Sequence, residues 1–176
     1  MLRHNQLVQW GEARKPENQS IPDPGAVMLL LRMNDARTAK ATLRDPDGFP
    51  VEVERSDGPG ADLSVSVRDP GNTRAQYTKA LGFKVDGEWL AVPGSSVRLR
   101  FTKAKGTKGA NVAFPEPGRG MLRLQVHNIA ALTESLKGAG FAVITKGGAP
   151  VTLPQGPQVI IVRDPNNFFL QPMEAR

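Results

Sequence analysis

The chain repeats itself within its 176 residues, and a repeat defines the building unit of a fold before any single motif is weighed. Pro22-Asp23-Pro24-Gly25 runs into AVMLLLRMND, and Pro115-Glu116-Pro117-Gly118 runs into RGMLRLQVHN. Further on, TLRDPDGFPVEVE (Thr42 to Glu54) matches VRDPNNFFLQPME (Val162 to Glu174) around a shared Arg-Asp-Pro. The pairs come in the same order, but the second copy is longer by a helix pattern and a strand. A second repeat lies inside the later part of the chain. ADLSVSVRD (Ala61 to Asp69) leads through a helix pattern to Gly82-Phe83, and GMLRLQVHN (Gly120 to Asn128) leads through another to Gly140-Phe141.

Each unit has a readable physical basis. Leu63, Val65 and Val67 alternate with Ser64, Ser66 and Arg68, the period of a half-buried strand. Asp69 and Asn128 suit helix N-caps, because their side-chain oxygens accept orphan backbone N–H bonds. Pro70 fits the first helical position. Ile129, Leu132 and Leu136 form an apolar helical stripe. Gly82 and Gly140 can end their helices in the left-handed conformation. Phe83–Val85 and Glu88–Val92 read as a hairpin turning at Asp86-Gly87. Strands are expected at Ser96–Lys103, Ala142–Thr145, Gln158–Arg163 and Phe168–Gln171, with turn chemistry at Asp164-Pro165-Asn166-Asn167. The order is β-α-β-β-β, twice, across Ala61 to Glu174.

That order resembles the vicinal oxygen chelate superfamily of glyoxalase, bleomycin-resistance and extradiol dioxygenase relatives. The resemblance rests on Val67-Arg68-Asp69, on Tyr77 with Leu81-Gly82-Phe83, on Gly138-Ala139-Gly140-Phe141 and on Arg163-Asp164-Pro165-Asn166-Asn167. Gln76 stands where the family has Phe, and Asn166-Asn167 where it has Asp-Gly. The resemblance implies an α+β fold: paired βαβββ modules forming a cupped, mostly antiparallel sheet with helices on its outer face. Residues 61–176 would be one complete glyoxalase-like domain. Residues 1–60 would be a truncated preceding copy, reduced to strands, with its linker. Ala26–Leu31 is apolar on both faces, so both need cover: the segment is expected to pack on the main domain or on a second chain, with a homodimer or a strand exchange through it as the expected assembly.

In this family a divalent metal is usually held by His or Gln near the start of each first strand and by Glu on each last strand. The matching positions here are Asp62, Met121, Gln171 and, in the truncated copy, Met28 and Glu52; the last strand of the first unit offers Arg100 and Thr102. That set does not rebuild a metal site, so no cofactor is expected, with a divalent metal as the alternative. Alternation along the strands turns Ser64, Ser66, Arg98, Arg100, Thr102, Arg123, Gln125 and His127 toward the cup. Arginine forks recognise carboxylate or phosphate, so a small anion is the ligand class to expect; a merely solvated sheet face is the competing reading. His127 titrates near neutrality, yet a surface polar role is the plainer account. Asp45 and Asp164 read as turn formers. No catalytic residue is assigned.

Composition narrows the alternatives. The formal charge of +6 raises the attraction for anionic partners, but aromatics are only 6% of the chain, too few for the stacking that single-stranded nucleic acid needs. Neither a nucleic-acid nor a membrane partner is expected. There is no cysteine, which excludes disulfide and thiolate-metal scaffolds. The opening lacks a signal-peptide pattern, so a cytoplasmic address is the expectation. The reading is a small-molecule-binding protein without the family's metal, for an anionic ligand. The alternative is a divalent-metal-dependent lyase or dioxygenase, and enzyme status stays open between them.

Overall fold

Period-two alternation turns much of the described chain into strands, and two capped helices interrupt them. The computed structural model describes residues 26–34, 40–44, 50–105, 121–154 and 156–175. Both PxPG blocks, His4, Trp10, Asp45 with its turn, and Lys108 lie outside the described residues. The strands before the first helix are β1 (Val27–Met33), β2 (Lys40–Arg44), β3 (Pro50–Arg55) and β4 (Gly60–Val67). Helix α1 (Pro70–Leu81) leads to β5 (Lys84–Asp86), β6 (Trp89–Ala91), β7 (Arg98–Lys103) and β8 (Met121–Val126). Helix α2 (Ile129–Gly138) is followed by β9 (Ala142–Val143), β10 (Val151–Thr152), β11 (Gln158–Val159), β12 (Val162–Arg163) and β13 (Phe169–Glu174).

The helix boundaries follow the chemistry read from sequence. Asp69 Oδ1 accepts from the Asn72 N–H at 3.0 Å, and Asn128 Oδ1 accepts from the Ala131 N–H at 2.9 Å. Gly82 closes α1 at φ 67°, and Gly140 follows α2 at φ 86°. The hairpin differs by one residue. Asp86 pairs with Trp89, so Gly87 and Glu88 form the turn, and only Gly87, at φ 59°, is left-handed. A positive φ at the first turn position alone is the type II′ pattern, where type I′ needs it at both.

Strand pairing yields two sheets. The larger runs β2-β3-β1-β4-β7-β6-β5. In the smaller, β13 pairs with β8 on one side and with β11 and β12 on the other, and β10 and β9 continue from those. β4 lies parallel to β7, β8 to β13 and β1 to β3, while most other pairs are antiparallel. The α+β class with mostly antiparallel sheets is therefore as expected. The strands of 61–174 fall in two sheets, and the sheet of β4–β7 continues across residue 60 into β1, which pairs antiparallel with β4 from Val27↔Val65 to Arg32↔Gly60.

One hydrophobic core joins the two sheets. It contains Leu63, Val65, Leu99 and Phe101 from the larger sheet and Leu122, Leu124, Val162 and Leu170 from the smaller, with Tyr77 of α1 and Leu136 of α2 between them. Tyr77 is fully buried, with ring centroids 4.8 Å from Phe101 and 5.4 Å from Phe141. The Asp164–Asn167 turn binds this assembly to α1. The Tyr77 hydroxyl donates to Asp164 Oδ2 at 3.1 Å, Asn166 Nδ2 donates to Thr73 Oγ1 at 3.1 Å, and the Arg68 N–H donates to Asn166 Oδ1 at 2.9 Å. Asp164 Oδ1 also accepts from the Asn166 and Phe168 N–H groups, both at 2.8 Å. Asp164 forms the turn the sequence indicates and is also a buried anchor between the two halves. Among the described residues no helix is long and apolar enough to cross a membrane.

Candidate functional site

Register decides which polar side chains share a face. On the larger sheet Glu52, Leu30, Asp62 and Arg98 stand in one cross-strand row, and Met28, Ser64, Arg100 and Trp89 in the next. Ser66 and Thr102 make a third. All lie on the face opposite Leu63, Val65 and Leu99, and so away from the shared core.

Asp62 is the hub of this face. Its side chain is only 1% exposed, a costly place for a carboxylate without partners. Arg98 meets it bidentately, with Nε donating to Oδ1 at 3.2 Å and the terminal nitrogen to Oδ2 at 2.8 Å, while the Arg98 backbone N–H donates to Oδ1 at 2.9 Å. Arg32 Nε, from β1, stands 3.1 Å from Oδ2 as an ion pair. The bond to Asp62 raises the pKa of Arg98 above its already high value, outweighing the opposing effect of desolvation. Glu52, also buried, pairs with Lys40 Nζ at 2.8 Å.

Arg100 is held differently. Its guanidinium carbon lies 4.8 Å from the Trp89 ring centroid, and that of Arg98 lies 4.5 Å from it. Trp89 thus supports two cations by cation–π attraction. The carboxylate facing Arg100 belongs to exposed Glu88, at a long 3.5 Å. Arg100 Nε is buried and makes no hydrogen bond among the described residues. Arg74 of α1 steadies the turn that carries Glu88 and Trp89, donating to the carbonyls of Gly87 at 2.7 Å and Glu88 at 2.8 Å.

Of the residues expected in the cup, Ser64, Ser66, Arg98, Arg100 and Thr102 share this face. Arg123 and Gln125 belong to β8 of the other sheet; Arg123 Nε donates to Gln171 Oε1 at 2.8 Å. Exposed His127 lies just past the end of β8. Arg32 and the placement of Trp89 under two arginines were missed. The signal for Arg32 was its alternation with Met28 and Leu30 in a segment read only as a truncated copy.

The positions where the resemblance implies metal ligands do not fit a divalent cation. Met28, Arg100 and Met121 offer no ligand, Asp62 is committed to two guanidinium groups, Glu52 to an ammonium, and the Gln171 amide oxygen to Arg123. Among the described residues no three His, Cys, Asp or Glu side chains gather as a metal site.

A family comparison matches residues 61–171 to the Glyoxalase/Bleomycin resistance protein/Dioxygenase superfamily. Among solved structures, two glyoxalase I variants from Zea mays resemble the chain with TM-scores of 0.60 and 0.58, at 16% and 15% identity. Each match covers 84% of this chain, and 66% and 67% of the maize chains. Glyoxalase I from Zea mays itself gives a TM-score of 0.56 at 20% identity, covering 77% of this chain and 53% of that one. The chain thus spans about two thirds or less of the length of these maize chains, and at such identities the likeness is one of fold. No curated protein matches the sequence.

Proposed function

The chain belongs to the glyoxalase/bleomycin resistance protein/dioxygenase superfamily, and from that premise we propose that it binds a small anionic molecule on the polar face of the larger sheet. One observation carries this reading. Arg100 is fixed against Trp89 with an unbonded, buried Nε, and among the described residues the carboxylate it meets is that of a distant, exposed Glu88. A guanidinium in this state has donors to give an oxyanion, and a charge-assisted bond to a carboxylate or phosphate exchanges a weak partner for a stronger one. Ser64, paired with Arg100, and Thr102, two residues along the same strand, add hydroxyl groups nearby.

Binding is expected to fall by about tenfold or more in Arg100→Ala, the scale of one lost charge-assisted bond. The measurement is calorimetric titration of the full chain with benzoate and with inorganic phosphate. Unchanged affinity for both probes, or no saturable binding of either by the wild-type chain, would remove the reading.

The metal-dependent alternative has its own test. The reading of the site as metal-free predicts that the protein, after incubation with manganese, zinc or nickel salts and desalting, retains well under one ion per chain. Stoichiometric metal that is lost in Asp62→Ala or Glu52→Ala would replace the guanidinium site with a metal site and direct attention to lyase and dioxygenase chemistry.

A further inference from the structure

We propose that the N-terminal strands complete this anion site: Arg32 of β1 is a second ligand-binding guanidinium, and Gly60 is the residue that lets it lie there. The inference rests on the anion-binding reading and extends it beyond the 61–171 segment that matches the family.

The geometry argues from the β1–β4 pairing. Arg32 stands directly across from Gly60, on the same face as Asp62 and Arg98. A side chain at residue 60 would occupy the space of the Arg32 guanidinium: a Cβ built there meets its terminal nitrogen and comes within 2.8 Å of its Cζ. Gly60 is not one of the residues with positive φ, so its backbone does not call for glycine. What calls for glycine is the cation lying over it.

Arg32 is also incompletely used. Its Nε sits 3.1 Å from Asp62 Oδ2 but is buried without a properly aligned hydrogen bond. Its side chain is 22% exposed, enough to reach a solute. Asp62 gives its bidentate bond to Arg98, and Glu54 on β3, the register partner of Arg32, adds a second negative charge to this end of the face. What Arg32 lacks is therefore an aligned acceptor and not a counter-charge, and a carboxylate or phosphate oxygen is the chemistry that supplies one. Asp62 in this arrangement is a fixed counter-ion that orients two arginines.

Gly60→Ala tests this without touching a charge, because the displaced group is the far end of a flexible side chain. Titration of the full chain with inorganic phosphate and with benzoate is expected to show about tenfold weaker binding of the preferred probe in both Gly60→Ala and Arg32→Ala, with no further loss in the double variant. Which probe binds tighter separates a phosphate from a carboxylate ligand. Wild-type affinity in both single variants, with binding lost in Arg100→Ala, would overturn the role of Arg32 and leave the anion site standing. Binding unchanged in Arg100→Ala would overturn both. Should Arg32→Ala fail to fold, Gly60→Ala decides, with its thermal midpoint as the control.

Discussion

Asp164→Ala is expected to destabilise the protein by about 3–5 kcal/mol, since a buried donor left without its acceptor costs roughly 1–3 kcal/mol and this change strands several. Two backbone N–H groups and the Tyr77 hydroxyl lose their acceptor together, in a site only 2% exposed. For a chain of this size that shift lowers the thermal midpoint by roughly 10 °C. Asp164→Asn keeps the shape, can accept both N–H bonds and can donate its amide to the Tyr77 oxygen, so its cost should stay below about 1.5 kcal/mol. A variant pair with equal midpoints would mean that the turn is held by something other than this carboxylate.

The same pair has a pH signature. Burial raises the Asp164 carboxyl above its ordinary value of 3.8, against the lowering effect of the hydrogen bonds from Phe168, Asn166 and Tyr77. Burial, and then the charge of Asp164, hold the Tyr77 hydroxyl well above the usual tyrosine range. A carboxyl raised on folding binds its proton more tightly in the native state. Its contribution is full below the unfolded value and is lost as pH climbs through the raised one. The asparagine variant lacks that titration, so its stability relative to the wild type should increase with pH across this window. Urea unfolding at stepped pH reads the difference directly, and parallel curves would contradict it.

Removing residues 1–55 is the second large change. β4 would lose a whole antiparallel partner, from Val27↔Val65 to Arg32↔Gly60, and Asp62 would lose one of its two cations. Several ladder bonds at about 1 kcal/mol each, together with buried Leu30 at about 2 kcal/mol, exceed what most domains can spare. The bare β4 edge is then a template for another chain. The shortened protein should therefore appear by light scattering as dimers or larger species with a much lower thermal midpoint. A monomer melting within about 3 °C of the full chain would show that the N-terminal strands are dispensable.

What was legible in the sequence follows from what a one-dimensional pattern encodes. The caps at Asp69 and Asn128 depend on neighbours in the chain and emerge as read; alternation along Ala61–Val67 separates the two faces, but the polar face is buried as well, where a half-buried strand is expected. The apolar run at Ala26–Leu31 indicated cover on both faces, and Leu30 is indeed buried on the polar side beside Glu52 and Asp62. Period two assigns a side chain to a face but says nothing of which strand lies alongside. That is why alternation alone does not single out Arg32, which β1 brings beside Asp62. Gly60 looked like linker because its reason lies across the sheet. The Asp164–Tyr77 bond was hidden similarly: Asp-Pro-Asn-Asn reads as a turn, and nothing local tells that a tyrosine far back in the chain will bury its carboxylate.

The place of β1 in the larger sheet also bears on how the protein is made. β1 is an interior strand, flanked by β3 and β4, and both are synthesised after it. At about 5–20 residues per second the ribosome needs seconds to deliver β4 once β1 has emerged. Until β3 follows, an apolar strand waits with neither neighbour available, and until β4 follows it has only one. Chaperone demand and co-translational aggregation should therefore concentrate on this early segment, and slowing translation between β1 and β4 should lower the yield of folded protein more than slowing it after β7.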